Sequence, residues 1–145
     1  MRLVLINRYF YPDLSGAAQM LTQLAEDLDA RGLEVTIITG RTAYTGGILS
    51  LPKSGRHKGI HVIRVPSTSL GRGRAWARII DYASFYLSAS WAALRLKDQD
   101  ALVVLSDPPV FSALAVLVGA LNKVRTYCWM HDVYPDIAIR AGIVR

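Results

Sequence analysis

Residues 1–40 read MRLVLINRYFYPDLSGAAQMLTQLAEDLDARGLEVTIITG, and this stretch decides the fold. Residues 2–7 and 35–39 are aliphatic and β-branched runs of strand length without polar alternation, as expected of strands buried on both faces of a parallel sheet. Between them Ser15 stands where a helix N-cap belongs, and Ala17, Met20, Leu21, Leu24, Ala25 and Leu28 recur with helical period. Gln19, Gln23, Glu26, Asp27 and Arg31 fall on the outward side, and Gly32 ends the helix. A strand, a helix and a strand in this order make a βαβ unit, whose crossover demands a parallel sheet.

The rest of the chain extends that unit. Residues 60–65 form a third strand closed by Pro66, after a long Gly-, Pro- and base-rich loop over 40–59 with a small hairpin expected around 48–51. A long helix over about 74–97 carries Trp76, Ile79, Ile80, Ala83, Leu87, Trp91 and Leu94 on one stripe. Its uncharged part would be roughly 20 Å long against a hydrocarbon core of about 30 Å, too short to span a membrane. Residues 101–105 form a fourth strand, Ser106-Asp107-Pro108-Pro109 caps a helix running to Leu121, and residues 125–130 form a fifth strand. A short apolar helix is expected over 134–144. The pattern predicts an α/β fold, a Rossmann-like doubly wound and mainly parallel sheet, with strands 3–6, 35–39, 101–105 and 125–130 in its interior and the first central.

Composition narrows the class. With 145 residues, 52% hydrophobic and 19% charged, the chain has room for one domain with a sizeable core, and disordered or fibrous readings are excluded. The lone Cys128 rules out an internal disulfide and a Cys-rich zinc site, and its apolar run reads as a buried strand in a reducing compartment. The first apolar run is too short for a signal peptide, so a cytoplasmic location is expected. The net charge of +6 conceals residues 41–78, which hold Arg41, Lys53, Arg56, Lys58, Arg64, Arg72, Arg74 and Arg78 without one Asp or Glu. That face suits nucleic acid, an anionic membrane or a phosphorylated substrate, or is simply solvated. Within it Arg72, Arg74, Trp76 and Arg78 combine phosphate-pairing forks with an interfacial indole.

Ligands of such sheets bind outside the carboxyl ends of the strands. There the first loop has Arg8-Tyr9-Phe10-Tyr11-Pro12-Asp13 in place of a glycine fingerprint, which speaks against nicotinamide binding, and no Walker sequence exists. Leu14-Ser15-Gly16-Ala17-Ala18 presents small residues at a helix N-terminus, where a phosphate can approach or where Gly16 merely relieves a tight turn. His131 and Asp132 end the fifth strand. His131 is placed to meet a sugar hydroxyl or developing charge, or serves as a structural or capping residue, and Asp132 or Asp136 caps the following helix. His57 and His61 lack partners at ligand spacing and are structural or solvated, and no metal box is present.

Three stretches together resemble the N-terminal domain of the family 4 retaining glycosyltransferases of the GT-B fold. They are the segment from Asn7 through Ala18 with the helix that follows it, Val104-Leu105-Ser106-Asp107-Pro108-Pro109, and His131-Asp132-Val133-Tyr134-Pro135-Asp136. They are most similar to members that build bacterial surface polysaccharides and lipopolysaccharide, such as the fucosamine transferases; where those usually have a second loop glycine, this chain has Ala17. The resemblance implies a single N-terminal, acceptor-binding domain over 1–145, with a C-terminal nucleotide-sugar domain outside this chain. The family's paired glutamates belong to that second domain, and Glu26 and Glu34 do not stand in for them. It implies a metal-independent, hexosyl-type transferase that uses a nucleotide-sugar as co-substrate and no cofactor, and that is inactive as this portion alone. Ser15, Gly16 and Ala17 would meet the donor diphosphate, and His131 the transferring sugar. Arg8, Asp13, Asp107 and Asp132 would line the acceptor cleft. The implied partners are a saccharide or lipid-linked saccharide and an anionic membrane surface at the inner face of the cell membrane, met through Arg72, Arg74, Trp76 and Arg78, and no nucleic acid. A non-catalytic module for anionic lipid or phosphorylated saccharide is the alternative, and a nicotinamide-dependent oxidoreductase is a third reading.

Overall fold

The computed structural model describes residues 1–45, 51–70, 73–105 and 110–130. The opening stretch folds as read: β1 (Arg2–Ile6) lies parallel to β2 (Glu34–Gly40), from Arg2 opposite Glu34 to Ile6 opposite Ile38, with α1 (Gly16–Ala30) as the crossover. There follow β3 (Ser54–His57), β4 (Ile60–Val65), α2 (Ala75–Arg95), β5 (Ala101–Leu105), α3 (Val110–Asn122) and β6 (Arg125–Trp129). The sheet runs β3-β4-β2-β1-β5-β6, parallel except for β3. β1 and β2 are central, and their side chains are divided between two cores. Leu5, Val35 and Ile37 meet Leu21 and Ala25 of α1, whereas Val4, Ile6 and Ile38 meet Phe85, Ala89 and Ala93 of α2 and Ala115 and Val118 of α3. Burial of Leu5, Ile6, Ile37 and Ile38 on both faces is what an aliphatic run without alternation encodes.

Several expectations are corrected. Among the described residues the fifth predicted strand is an edge and not interior: β6 pairs there with β5 alone, and Arg125, Tyr127 and Cys128 are exposed. Cys128 is therefore not buried; apolar content distinguishes a strand from a loop, but not an edge from a centre. The loop over 40–59 contains a strand, β3, which forms a hairpin with β4, while the small hairpin expected around 48–51 falls on residues of which 48–50 lie outside the described residues. Ser-Gly-Arg-His has no apolar run to announce a strand. It pairs because Lys58 takes a left-handed turn conformation (φ 54°) and Gly59 leaves room for the Asp29 carboxylate of α1, which a Cβ would overlap. Glu26, placed outward by periodicity, turns to this hairpin instead. It accepts from Lys58 Nζ at 2.5 Å and lies 2.8 Å from His57 Nε2. These two contacts hold its carboxyl below the usual carboxylate range, Lys58 contributing most.

The inner side of α1 is Ala18, Leu21 and Ala25, while Met20 is exposed. In α2 most of the stripe read from the sequence lies outward: Trp76, Ile79, Ile80, Leu87 and Trp91 are exposed and Leu94 packs partly against the core, whereas Ala77, Phe85, Tyr86, Ala89 and Ala93 face the sheet.

Candidate functional site

The strand order reverses between β1 and β5, since β1 leads by α1 to β2 on one side and pairs with β5 on the other. The crevice of a doubly wound sheet opens at that point, at the carboxyl ends of the strands. Here it is walled by the loop from Asn7 to Ser15. That loop is fixed by its backbone. Gly40 donates to the Arg8 carbonyl at 3.0 Å, Thr39 Oγ1 donates to the same oxygen at 3.1 Å, and Asn7 Nδ2 donates to the Tyr9 carbonyl at 2.8 Å. A Cβ on Gly40 would come within 2.9 Å of the Arg8 carbonyl, so the close approach requires glycine there.

Arg8 is buried, and its guanidinium turns inward and not into open solvent. Nη2 lies 3.9 Å from Asp81 Oδ2 on α2, and the guanidinium carbon sits 4.9 Å from the Tyr82 ring centre and 5.6 Å from that of Tyr9. Asp81 also accepts from Thr68 Oγ1 at 2.6 Å and from the Leu70 amide at 3.0 Å, so one carboxylate ties β1's loop, α2 and the segment before α2 together. Asp13 is likewise committed to backbone: Oδ1 accepts from the Ser15 amide at 2.8 Å, and Oδ2 from the Tyr44 amide at 2.5 Å. Its turn aims the chain into α1.

That frees the start of α1. Ser15 occupies the N-cap position with extended backbone, but its hydroxyl makes no capping bond and is buried without a partner. The amides of Gly16, Ala17 and Ala18 have no acceptor inside the helix by construction. A Cβ built on Gly16 meets nothing within 4 Å. The space beside Gly16 is open, and the positive end of the helix dipole, with amides unclaimed inside the helix, lies at it, while the Ser15 hydroxyl stays buried beneath.

A second cation at this edge was read from the sequence only as one member of the basic segment, without its place at the cleft. Arg64 of β4 has 9% of its surface exposed, and Nη2 donates to the Tyr11 carbonyl at 3.0 Å. No carboxylate among the described residues lies within the 4.0 Å of an ion pair. Burial pushes its ionisation down from the ordinary arginine value. The signal was available: Ile60, Val62 and Arg64 alternate onto one face of β4, and the first two lie in the core beneath α1. An arginine in an otherwise apolar register is the exception worth noticing. His57 stacks against Tyr11 with ring centres 4.2 Å apart and pairs with Glu26, the structural role its sequence context suggested.

Arg74, Trp76 and Arg78 are exposed, as a surface-binding cluster needs. Arg74 lies over the Trp76 ring at 5.9 Å, whereas Arg78, two residues on, points away from that ring by helical phase. Arg72, Asp107, His131 and Asp132, and the helix expected over 134–144, lie outside the described residues.

A family model described as a glycosyl transferase 4-like domain matches residues 15–143. Among solved structures, sucrose-phosphate synthase from Thermosynechococcus elongatus superposes with a TM-score of 0.68 at 13% identity, over 96% of this chain and 35% of that one. The likeness is one of fold: the sheet and its helices are one half of a GT-B fold, and the chain spans about a third of that synthase's length. No curated protein sequence matches the chain.

Proposed function

The chain belongs to the glycosyl transferase 4-like domain family, and from that premise we propose that it forms the acceptor-side lobe of a retaining, hexosyl-type glycosyltransferase. On this reading the enzyme moves a sugar from a nucleotide-sugar to a lipid-linked or polysaccharide acceptor in cell-envelope glycan synthesis, in the cytoplasm at the inner face of the membrane. The second lobe would hold the nucleoside. The observation that carries the reading is the N-terminus of α1, which is open at Gly16, where an added Cβ meets nothing within 4 Å. During transfer the anomeric C–O bond to the diphosphate breaks and negative charge grows on the leaving phosphate. Fixed amides at a helix start stabilise that charge without having to reorganise. Arg64 would add a fixed positive charge on the same edge for an anionic group of donor or acceptor. His131 would contact the transferring sugar, with Asp13, Asp107, Asp132 and the Arg8 loop as the acceptor wall.

Steady-state transfer by the intact protein that contains this chain tests this. Gly16→Phe fills the space in front of α1 and is expected to lower kcat/KM for the nucleotide-sugar at least a hundredfold, with the melting temperature unchanged because nothing packs against that position. Glu34→Phe, at the exposed amino end of β2 on the opposite edge of the sheet, is the control. Normal turnover with Gly16→Phe would remove α1 from the donor site.

A further inference from the structure

The exposed side of α2 is the largest chemical feature that the cleft leaves unused, and we propose that it is a lipid-facing surface on which the helix lies in the plane of an anionic membrane leaflet. Ile79, Leu87 and Trp91 are 67, 68 and 60% exposed, and Trp76 and Ile80 53 and 44%. Trp76, Ile80, Leu87 and Trp91 recur at helical spacing along a line of about 22 Å. Single exposed apolar residues are ordinary, whereas a continuous row of this size marks a binding surface.

Charge decides between occupants. Each tryptophan carries an arginine: Arg74 lies over Trp76 at 5.9 Å and Arg95 over Trp91 at 4.6 Å, with Lys97 exposed just beyond. The helix's one acid, Asp81, is buried and turned to Arg8 and Thr68. The acids past its end, Asp98 and Asp100, are turned to Arg2. The face is thus apolar along its length and cationic at both ends, with no exposed carboxylate on the helix. Copies of the same face would bring arginines against arginines, whereas an anionic leaflet offers hydrocarbon to the row and phosphates to its ends. Indoles and guanidiniums both settle at that boundary.

Two further features agree. An open, mainly apolar groove of about 360 Å³ adjoins the C-terminal end of the row, lined by Ile63, Val65, Pro66, Trp91 and Leu96. α3, packed beside α2 on the same side of the sheet, exposes Val116, Leu117 and Leu121 and has no charged residue. No helix among the described residues is long and apolar enough to cross a membrane, so the contact lies in the plane. The inference deepens the membrane-proximal location proposed above but rests on surface chemistry alone, and its test needs no sugar.

The test is co-sedimentation of the chain with vesicles of phosphatidylcholine containing 30% phosphatidylglycerol, against pure phosphatidylcholine. The chain is expected to bind the anionic vesicles and to be released by salt, because each basic residue near such a leaflet strengthens binding by roughly fivefold. Ile79→Glu with Leu87→Glu, both at exposed positions and so compatible with folding, should weaken binding more than tenfold. Brominated lipid added to the unaltered chain should quench Trp76 and Trp91, more with bromines high on the acyl chain than near its end. Absence of binding to anionic vesicles, unchanged binding by the double variant, or absence of quenching would overturn the proposal. So would a concentration-dependent dimer that the double variant dissociates in the absence of lipid, which would assign the row to a second copy of the chain.

Discussion

Replacing Asp81 with alanine should destabilise the fold more than replacing its ion-pair partner, because the carboxylate holds more than the charge it faces. Its side chain is 7% exposed and that of Arg8 8%, with Nη2 3.9 Å from Oδ2. At an effective dielectric of about 20, unit charges at that separation attract by roughly 4 kcal/mol, and dehydrating both ions offsets much of the gain. A separation of 3.9 Å is also too long for a hydrogen bond. The short contacts lie elsewhere on the same carboxylate, to Thr68 Oγ1 at 2.6 Å and to the Leu70 amide at 3.0 and 3.1 Å. Hydrogen bonds to a charged acceptor are worth about 1.5–3 kcal/mol each.

Asp81→Ala strands a buried guanidinium together with those donors, and is expected to cost about 3–5 kcal/mol. Arg8→Met leaves the carboxylate with Thr68 and Leu70 and keeps an apolar stem against Tyr82, so about 1–2 kcal/mol is expected. For a domain of this size the first loss lowers the melting temperature by roughly 10–15 °C. Urea unfolding followed by far-ultraviolet circular dichroism gives both values, and the double variant gives the coupling. If Arg8→Met cost as much as Asp81→Ala, the ion pair itself would be the anchor and the reasoning from the shorter contacts would fail. A loss below about 1 kcal/mol for Asp81→Ala would show that the buried charge is compensated by other groups.

Glu26→Gln should lower the urea midpoint at neutral pH. The carboxyl of Glu26 is held below its usual range, so its stabilisation is present above the ordinary carboxylate range and is lost as pH falls through the lowered value. The gap between the two proteins should therefore close on acidification, and a gap that persists in acid would refute the linkage. Arg64→Met should leave stability within about 1 kcal/mol or raise it, because a buried cation with no carboxylate partner among the described residues is replaced by an apolar side chain. In the transferase proposed above the same change should raise KM for a phosphate-bearing acceptor or donor more than it lowers kcat, and unchanged KM values for both substrates would exclude Arg64 from the site.

The reading of residues 1–40 survived because periodicity and burial agree there. Strands central in a sheet have two apolar neighbourhoods, so Leu3 to Ile6 and Val35 to Ile38 leave little choice of orientation. The approach to the cleft was legible for the same reason: a helix must begin after β1, and Ser15 and Gly16 stand where it begins. What the residues in the loop do was less legible. Arg8 and Asp13 were expected in the cleft wall as polar groups near a ligand, and their charges are directed to Asp81 and to two backbone amides. Sequence spacing cannot reveal a partner 73 positions away, and the same limit hid the contacts of Glu26 with the β3–β4 hairpin.

α2 shows why a hydrophobic stripe fixes a helix but not its orientation. The helix has two apolar sides, one of large residues and one in which Ala77, Ala89 and Ala93 alternate with Phe85 and Tyr86. Hydropathy favours burying the larger side. Packing reverses this, because the sheet already presents Val4, Ile6, Ile38 and Val65, and small residues let the helix axis approach while two aromatic rings fill what remains. Asp81 then completes the orientation. It lies on the sheet-facing side, where Arg8, Thr68 and Leu70 satisfy it; turning the tryptophan row inward would carry that carboxylate out to solvent and leave Arg8 buried and unpaired. The exposed row is thus a consequence of how the polar side chain is satisfied as much as of how the apolar ones pack.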